Sequence, residues 1–280
     1  MRGRWIERPW GRMRVWDAGQ GAPVLAIHGL GGSGRYWGGL AERLGERFRV
    51  VAPDLAGFGA SDKRRDAAYD RAFHLADIDA AVEACIGDGS IAVVGHSLGA
   101  MLALVWGARR ADRVHALGLV ATPYPVPSRG WDPNAWHGAR GAVIRGVSGM
   151  FRLAWPVVSL PVIASGRYPG PVVRDFGRQT LRARSRTLYA FWSDPTLPDE
   201  FPAIERIPRE TRVLLAHARD DQRVPAVNVE RWHRHIPHAE PLLVSHGGHQ
   251  VLLRTGFEPL AVWLERPGAP PSSTAPRLGR

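Results

Sequence analysis

Short, almost unbroken apolar runs alternate with longer segments of helical periodicity along much of the chain. Such runs are typical of strands buried on both faces of a sheet. In 73–86, Leu75, Ile78 and Val82 recur with helical spacing and share one face. This alternation predicts the α/β class, a mostly parallel sheet flanked by helices. The predicted strands are 5–8, 12–18, 23–27, 49–52, 91–94, 114–121, 212–217 and 240–245.

The alternation stops at Thr122 and resumes near residue 209. The block between is rich in arginine, proline and tryptophan, with helical patterning in 138–152 and 171–191. We therefore predict a helical insertion within one sheet domain, and a Pro/Ser-rich tail that is disordered. The predicted units are a core domain of 1–121 and 209–266, a helical cap of 122–208 and a tail of 267–280.

The composition is that of a globular protein, with 280 residues of which 45% are hydrophobic and 22% charged. No apolar run reaches the length of about 18 residues that a membrane-spanning helix needs, so no integral membrane association is expected. The N-terminus lacks the apolar segment of a secretory signal. Cys85 is the single cysteine, which excludes an internal disulfide. A cytoplasmic location fits these features.

The net charge of +11 comes almost entirely from arginine, because Lys63 is the single lysine. Arginine use of this kind is typical of GC-rich bacterial genomes. The arginines are scattered and accompany no nucleic-acid motif, so we expect no nucleic-acid partner, although an anionic partner is the alternative. His233, His235 and His238 are close in sequence but lack acidic partners at ligand spacing. We predict no metal site and no cofactor, and the oligomeric state is not predictable.

A serine stands between two glycines in Gly95-His96-Ser97-Leu98-Gly99, after the strand 91–94 and before a helix predicted at 98–109. This strand–turn–helix context is that of the G-x-S-x-G nucleophile elbow. The tight turn exposes the serine hydroxyl, and the positive end of the helix favours negative charge beside it. Ser97 is therefore the candidate nucleophile.

A serine hydroxyl needs a histidine base, and the histidine needs an orienting acid. With this type of elbow the chain order is serine, acid, histidine. Asp220 and Asp221 both follow one late strand, and His246 and His249 both follow the last strand. We favour Asp221, and we favour His249 because the two preceding glycines let its loop approach the serine. Asp220 and His246 remain alternatives.

Acyl chemistry at this serine also needs hydrogen-bond donors for the oxyanion. One donor is predicted to be the amide of Leu98, directly after the nucleophile. The other is predicted to be the amide of Leu30, in the glycine-rich loop 28–32 after an early strand. His28 is interpreted as a side chain that braces this loop.

The residues 29–34 also match G-x-G-x-x-G after a strand, with Asp54 at the end of the next strand. By itself, this pattern would indicate a dinucleotide site. A dehydrogenase has no use for a serine elbow followed by late aspartate and histidine loops. We therefore reject the nucleotide interpretation.

Taken in order, these motifs resemble the α/β-hydrolase superfamily, in the branch with a helical cap after the sixth strand. The resemblance covers roughly residues 15–264. It implies that Ser97, Asp221 and His249 form a triad and that Leu30 and Leu98 supply the oxyanion hole. The motifs that carry it are 28–32, 53–62, 95–99, 221–225 and 248–249.

One position departs from the family pattern. The family usually has glycine three residues before the aspartate, where this chain has Ala218. Asp54 and Asp62 match positions that brace loops in the family and are not counted as catalytic.

The resemblance implies a serine hydrolase of the carboxylic ester hydrolase kind, which cleaves an ester, thioester or similar acyl bond of a hydrophobic small molecule. Serine rather than aspartate at the elbow disfavours epoxide hydrolase and haloalkane dehalogenase chemistry. Acyl transfer and perhydrolysis with the same triad remain alternatives. A ligand-binding protein that keeps the fold without catalysis is the alternative from another class.

The insertion carries many aromatic residues and an apolar stretch, 153–164. We expect this stretch to pack the cap onto the core, with a substrate-pocket wall or a lipid contact as alternatives. Arg178, Arg182 and Arg186 are spaced to share one helical face, which is expected to be solvated rather than to line the cleft. The candidate pocket residues are His28, Gly29, Tyr124, Trp155 and Trp192.

Overall fold

The computed structural model describes residues 1–125, 150, 153–166, 168–192 and 196–266. Within them, eight strands form one sheet in the order β1-β2-β4-β3-β5-β6-β7-β8. The strands from β4 to β8 along this order are parallel, and β2 pairs antiparallel with both β1 and β4. The strands are β1 (Arg2–Ile6), β2 (Met13–Ala18), β3 (Ala22–Ile27), β4 (Phe48–Pro53), β5 (Ile91–His96), β6 (Val114–Val120), β7 (Arg212–Ala218) and β8 (Glu240–Val244).

Helices cover both faces of this sheet. Apolar side chains of α2, α3 and α8 pack on one face, and those of α1, α9 and α10 pack on the other. The central strands are buried on both sides, as their unbroken apolar runs predict. The α/β class and the mostly parallel sheet are confirmed. The helices are α1 (Gly38–Leu44), α2 (Arg71–Cys85), α3 (Leu98–Arg109), α4 (Leu160–Ala164), α5 (Gly170–Phe176), α6 (Leu181–Trp192), α7 (Phe201–Ile204), α8 (Asn228–His235), α9 (Val251–Thr255) and α10 (Glu258–Glu265).

Several element boundaries differ from the sequence prediction. The first strand ends at Ile6 rather than continuing to Arg8, because the Arg8 side chain turns inward to a buried carboxylate. The helix between β3 and β4 is α1 alone, flanked by short 3-10 turns, since Gly45 takes a positive φ of 59° and ends it. The helix α3 has the predicted bounds.

The predicted helix 171–191 is two helices, α5 and α6, separated at 177–180. Arg178 therefore does not share a helix with Arg182 and Arg186, and the single arginine face predicted there is wrong. Arg178 pairs with Asp175 at 3.2 Å, and Arg186 donates to the Ala67 carbonyl at 3.3 Å. Apart from residue 150, which is helical, the helix predicted at 138–152 lies outside the described residues, as does the tail 267–280.

The inserted segment is tied to the sheet domain by buried polar contacts. Ser33 Oγ donates to the buried Asp175 carboxylate at 2.8 Å. His74 Nε2 lies 2.9 Å from the Thr187 hydroxyl, and both side chains are fully buried. These contacts join α5 and α6 to the loop after β3 and to α2. A helical cap between β6 and β7 is compatible with them.

The expectation that 153–164 packs the cap onto the core is wrong for most of this stretch. Trp155, Ser159 and Ile163 turn inward at a spacing of four residues, and the apolar side chains between them are exposed. One face of a short helical segment can contact a neighbour while the other remains uncovered. The longest helices of the described part have 12 to 15 residues, and none is long and apolar enough to cross a bilayer.

A buried ion pair fastens the N-terminal hairpin to the core. Arg8 and Asp77 are paired with no side-chain exposure. The Asp77 carboxylate also accepts from Trp10 Nε1 at 2.8 Å and from the Ala56 amide at 2.6 Å. One carboxylate thus joins the hairpin, the loop after β4 and α2.

Removing this carboxylate leaves the Arg8 guanidinium buried and unpaired. We expect Asp77→Ala to lower the free energy of unfolding by about 3 to 5 kcal/mol. Asp88→Ala changes an exposed loop residue and is the control, with an expected effect within about 0.5 kcal/mol. Urea unfolding measures both. An Asp77 variant as stable as the control would contradict this role for the pair.

Candidate active site

Ser97 occupies a sharp turn between β5 and α3. Its backbone has a φ of 55° and a ψ of −117°, a conformation that costs a residue with a side chain about 1 to 3 kcal/mol. The Ser97 amide donates to the Val120 carbonyl at 2.8 Å and holds the turn against β6. The strain is therefore maintained by the neighbouring strand.

The two glycines of the elbow are required by contact distances. A Cβ on Gly95 would lie 2.2 Å from the Gly99 carbonyl oxygen, and a Cβ on Gly99 would lie 2.1 Å from the Ile27 carbonyl oxygen. Both distances are too short for any side chain. The glycines let β5, α3 and the end of β3 meet at one point, where Ser97 is presented.

His249 connects Ser97 to Asp221. Its Nε2 lies 3.0 Å from Ser97 Oγ, and its Nδ1 lies 2.9 Å from Asp221 Oδ2. When Nδ1–H donates to the carboxylate, Nε2 is the nitrogen that accepts the serine proton. The structure thus brings together three side chains that are separated by up to 152 residues.

The Asp221 carboxylate has further donors. The amides of Arg223 and Val224 donate to it at 2.8 and 3.0 Å, and His217 Nε2 lies 3.2 Å away. Burial raises the pKa of Asp221, but the hydrogen bonds from His217, His249 and the two amides outweigh burial and hold the pKa well below its usual range. The carboxylate is therefore ionised and fixed in orientation.

The neighbouring aspartate has a different partner. Asp220 accepts from the Gly248 amide at 2.7 Å and from the Gly247 amide at 3.3 Å. It holds the backbone of the loop, whereas Asp221 holds the imidazole. The side chain of His246 is 89% exposed and has its ring 4.0 Å from Asp220. The geometry favours Asp221 and His249 over the two alternatives.

His96, the residue before Ser97, supports the loop of His249 from the other side. Its Nε2 lies 2.7 Å from the His249 carbonyl oxygen, and its ring stacks on Tyr36 with centroids 5.0 Å apart. Burial lowers the pKa of His96 to about 3, so the ring is neutral and Nε2–H donates to the carbonyl. The sequence analysis missed His96 and His217 because both stand inside strands, where the pattern indicates only burial.

The loop after β3 lies against the nucleophile. A Cβ on Gly29 would be 3.4 Å from Ser97 Cβ and 2.8 Å from His96 Nδ1, so only glycine permits this approach. Leu30 follows in the loop, and Leu98 begins α3, where the first amides have no partner within the helix. Both predicted oxyanion donors thus belong to backbone segments that flank Ser97.

His28 braces this loop. The Leu55 amide donates to its Nε2 at 3.0 Å, and its Nδ1 lies 2.8 Å from the Gly29 carbonyl oxygen. Burial lowers the pKa of His28 to about 4, so the ring is neutral at pH 7. Both ring nitrogens are directed at the backbone, and we correct the assignment of His28 to the substrate pocket.

The other pocket candidates have contacts of their own. The Tyr124 hydroxyl lies 2.9 Å from His235 Nε2, and its ring packs on Trp232 at 4.9 Å. Trp155 Nε1 donates to the Val173 carbonyl at 2.9 Å. The Trp192 side chain lies outside the described residues. Of the five candidates, Gly29 is the one that the described contacts place against Ser97.

The inserted segment also contacts the glycine-rich loop 28–32, which the sequence did not indicate. A Cβ on Gly31 would lie 2.9 Å from Phe176 Cε2 and 2.8 Å from Gln179 Nε2. Phe176 ends α5, so this helix lies directly over the loop beside Ser97. The described residues contain no cluster of three or more His, Cys, Asp or Glu side chains able to hold a metal ion.

A family model for the alpha/beta hydrolase fold matches residues 22–144, which include the glycine-rich loop 28–32 and the elbow 95–99. The chain has the α/β-hydrolase fold. Curated relatives with an assigned activity include hydrolases and esterases, and the chain is an α/β-hydrolase enzyme. It is 29% identical to 2-hydroxymuconate semialdehyde hydrolase of Pseudomonas sp. (strain CF600) over 76% of this chain and 75% of that protein.

Two further comparisons concern esterases. Over 48% of its length and 50% of the relative, this α/β-hydrolase is 35% identical to the pimeloyl-[acyl-carrier protein] methyl ester esterase of Chromobacterium violaceum. An esterase from Exiguobacterium antarcticum superposes with a TM-score of 0.71 at 21% identity, over 94% of this chain and 98% of that one, which shows a common fold. The chain spans about half the length of several other curated relatives.

The different partners of Asp220 and Asp221 predict that substituting each one slows the labelling of Ser97 to a different extent. We expect Asp221→Asn to slow labelling of Ser97 by a fluorophosphonate about 10⁴-fold, because the imidazole loses its orienting anion. Asp220→Asn keeps an oxygen that can accept from the Gly248 amide. The labelling rate of this variant should therefore fall by no more than about tenfold. The labelling rate of the folded proteins is measured. Equal losses in the two variants would contradict the separate roles.

Burial of His96 predicts an acid-sensitive fold. The unfolded ring takes up a proton below its ordinary pKa of 6.5, whereas the folded ring does not until about 3, so stability falls as the pH falls through this window. At pH 4.5 this one group lowers the free energy of unfolding by about 2 to 3 kcal/mol relative to pH 7.

We therefore expect His96→Gln, which keeps an N–H donor without a titrating ring, to lose less unfolding free energy between pH 7 and 4.5 than the parent protein. His246→Gln, at an exposed histidine, is the control and should lose as much as the parent. Urea unfolding at the two pH values gives the difference. The same pH dependence in all three proteins would refute a buried, neutral His96.

Proposed function

We propose that this α/β-hydrolase is a serine hydrolase that cleaves an ester, thioester or similar acyl bond of a hydrophobic small molecule. Ser97 is the proposed nucleophile, His249 the base and Asp221 the orienting acid. The observation that carries the proposal is the position of the His249 ring, 3.0 Å from the serine hydroxyl and 2.9 Å from the carboxylate.

Acylation follows from this arrangement. Ser97 Oγ attacks the acyl carbon while His249 Nε2 takes the hydroxyl proton. The amides of Leu30 and Leu98 donate to the oxyanion of the tetrahedral intermediate. His249 then returns the proton to the leaving alcohol or thiol, and the acyl group remains on Ser97.

Deacylation repeats these steps with water. His249 takes a proton from a water molecule, which attacks the acyl carbon, and the proton then passes to Ser97 Oγ as the acid leaves. Asp221 stays ionised throughout and stabilises the imidazolium that forms twice per cycle. His217 and the amides of Arg223 and Val224 keep that carboxylate in place.

The inserted segment, proposed to be a cap over 122–208, encloses this site from above the proposed oxyanion loop, residues 28–32. Support comes from the contact of Phe176 and Gln179 with Gly31. The apolar character of α5 and of the residues packed on it favours an apolar acyl group over a charged one. The similarity to the pimeloyl methyl ester esterase favours an ester.

A second candidate function is hydrolysis of an activated carbon–carbon bond. It is favoured by the similarity to 2-hydroxymuconate semialdehyde hydrolase. Acyl transfer and perhydrolysis would use the same acyl-enzyme with another acceptor. The nucleophile and base are common to all of these reactions, so the substrate distinguishes them.

The test is a series of p-nitrophenyl esters, from acetate to palmitate, with the parent protein and with Ser97→Ala. We expect turnover with a chain-length optimum, and a loss of at least about 10⁴-fold in kcat for Ser97→Ala. Ser90→Ala changes an exposed serine in the loop before β5 and should retain full activity.

Two results would change the conclusion. Turnover of 2-hydroxymuconate semialdehyde without turnover of any ester would favour the second candidate. A folded protein in which a fluorophosphonate fails to label Ser97 would refute both enzymatic candidates and favour a binding protein.

A further inference from the structure

The helical segment 153–164 buries a polar side chain and exposes apolar ones, the reverse of the usual arrangement. Ser159 is the single polar side chain in this stretch, and it is buried with no hydrogen-bond partner for its hydroxyl. The exposed positions are apolar. A surface helix ordinarily buries its apolar face and exposes its polar one.

The inward face of this segment packs on α5. Trp155 packs on Phe176 with ring centroids 5.4 Å apart and donates to the Val173 carbonyl. A Cβ on Gly170 would lie 3.4 Å from Ile163 Cγ2. These contacts with α5 hold the segment in place and define which face is outward.

The outward face is a set of aliphatic side chains, which we name the apolar cap face. Leu153 is 83% exposed and Val157 is 69% exposed. A continuous apolar surface of this kind marks an interaction site more often than isolated exposed residues do. The apolar cap face consists of Leu153, Val157, Val158, Leu160 and Val162.

The segment that carries this face has a strong excess of positive charge. The sequence 150–192 contains seven arginines and a single acidic residue, Asp175. Asp175 is buried and bound by Ser33 and Arg178, so it does not offset the surface charge. Arg174 and Arg184 are exposed, and Arg184 lies over the ring of Phe176 at 5.8 Å.

We propose that the apolar cap face docks onto an anionic lipid bilayer. Aliphatic side chains enter the boundary of the acyl chains while exposed arginines of 150–192, Arg174 and Arg184 among them, contact lipid phosphates. A second copy of this chain would bring two positive surfaces together, which Coulomb repulsion opposes. A nucleic acid offers phosphates but nothing that buries exposed leucine and valine.

The docked face is coupled to the proposed active site through one side chain. Phe176 contacts Trp155 on one side and Gly31 of the oxyanion loop on the other. The bilayer would thus lie next to the element that covers Ser97. If the proposed function holds, the substrates are acyl esters dissolved in or extracted from the lipid surface.

Binding is tested without catalysis, with the full-length Ser97→Ala protein and sedimenting vesicles. Vesicles of equal parts phosphatidylglycerol and phosphatidylcholine should bind the protein at least tenfold more tightly than vesicles of phosphatidylcholine alone. Raising the salt from 0.1 to 0.5 M should weaken binding. Equal partition to both vesicle types would overturn the proposal.

The apolar contribution is tested by Val157→Ser combined with Leu160→Ser, which should weaken binding to anionic vesicles roughly tenfold or more. Val227→Ser combined with Val262→Ser changes two exposed valines elsewhere and is the matched control, expected to bind as before. Unchanged binding by the first pair would overturn the proposal. So would a protein dimer in sedimentation analysis that the first pair abolishes.

A separate experiment, with Ser97 intact, tests whether docking to the bilayer affects activity. The Val157→Ser, Leu160→Ser protein should hydrolyse p-nitrophenyl acetate in solution like the parent, but should lose most activity on an ester embedded in anionic vesicles. Equal activity of both proteins on the embedded ester would refute the coupling. Absence of all esterase activity would refute the proposed function and leave the binding result independent of it.

Discussion

The steric closure of one turn is the constraint on which the rest of the structure depends. Gly95, Ser97 and Gly99 allow β5, α3 and the end of β3 to meet within distances that exclude any side chain at the two glycines. The serine takes a positive φ there, held by its amide on the carbonyl of Val120. The hydroxyl is consequently presented at the carboxyl edge of the parallel strands, where α/β proteins place their ligands.

Around this turn, backbone contacts position the reactive side chains. His96 on one side and Asp220 on the other hold the loop of His249 by its main chain, while Asp221 holds the ring. Asp221 is in turn held by His217 and two amides. Each member of the candidate triad Ser97, His249 and Asp221 is therefore held in position by further residues. A preorganised proton-transfer site requires such support.

The sheet, the elbow and the chain order of the candidate triad could be predicted because each depends on local sequence. Apolar runs identify buried strands, and glycines at fixed offsets identify the turn. The supports of the site could not be predicted in this way. His96 and His217 stand in apolar strands, and their partners are more than a hundred residues away or across a loop. The outward turn of Leu153 and Val157 also depends on which face of the segment α5 occupies, which no periodicity specifies.

The central claim is that a strained serine, a partly buried imidazole and two backbone amides form one reactive centre. Its most direct test is the crystal structure of the protein after reaction with a fluorophosphonate. The account predicts a phosphonyl group on Ser97 Oγ, with its oxygen roughly 2.7 to 3.1 Å from the amides of both Leu30 and Leu98. An unreacted Ser97, or an adduct whose oxygen is directed away from both amides, would contradict it.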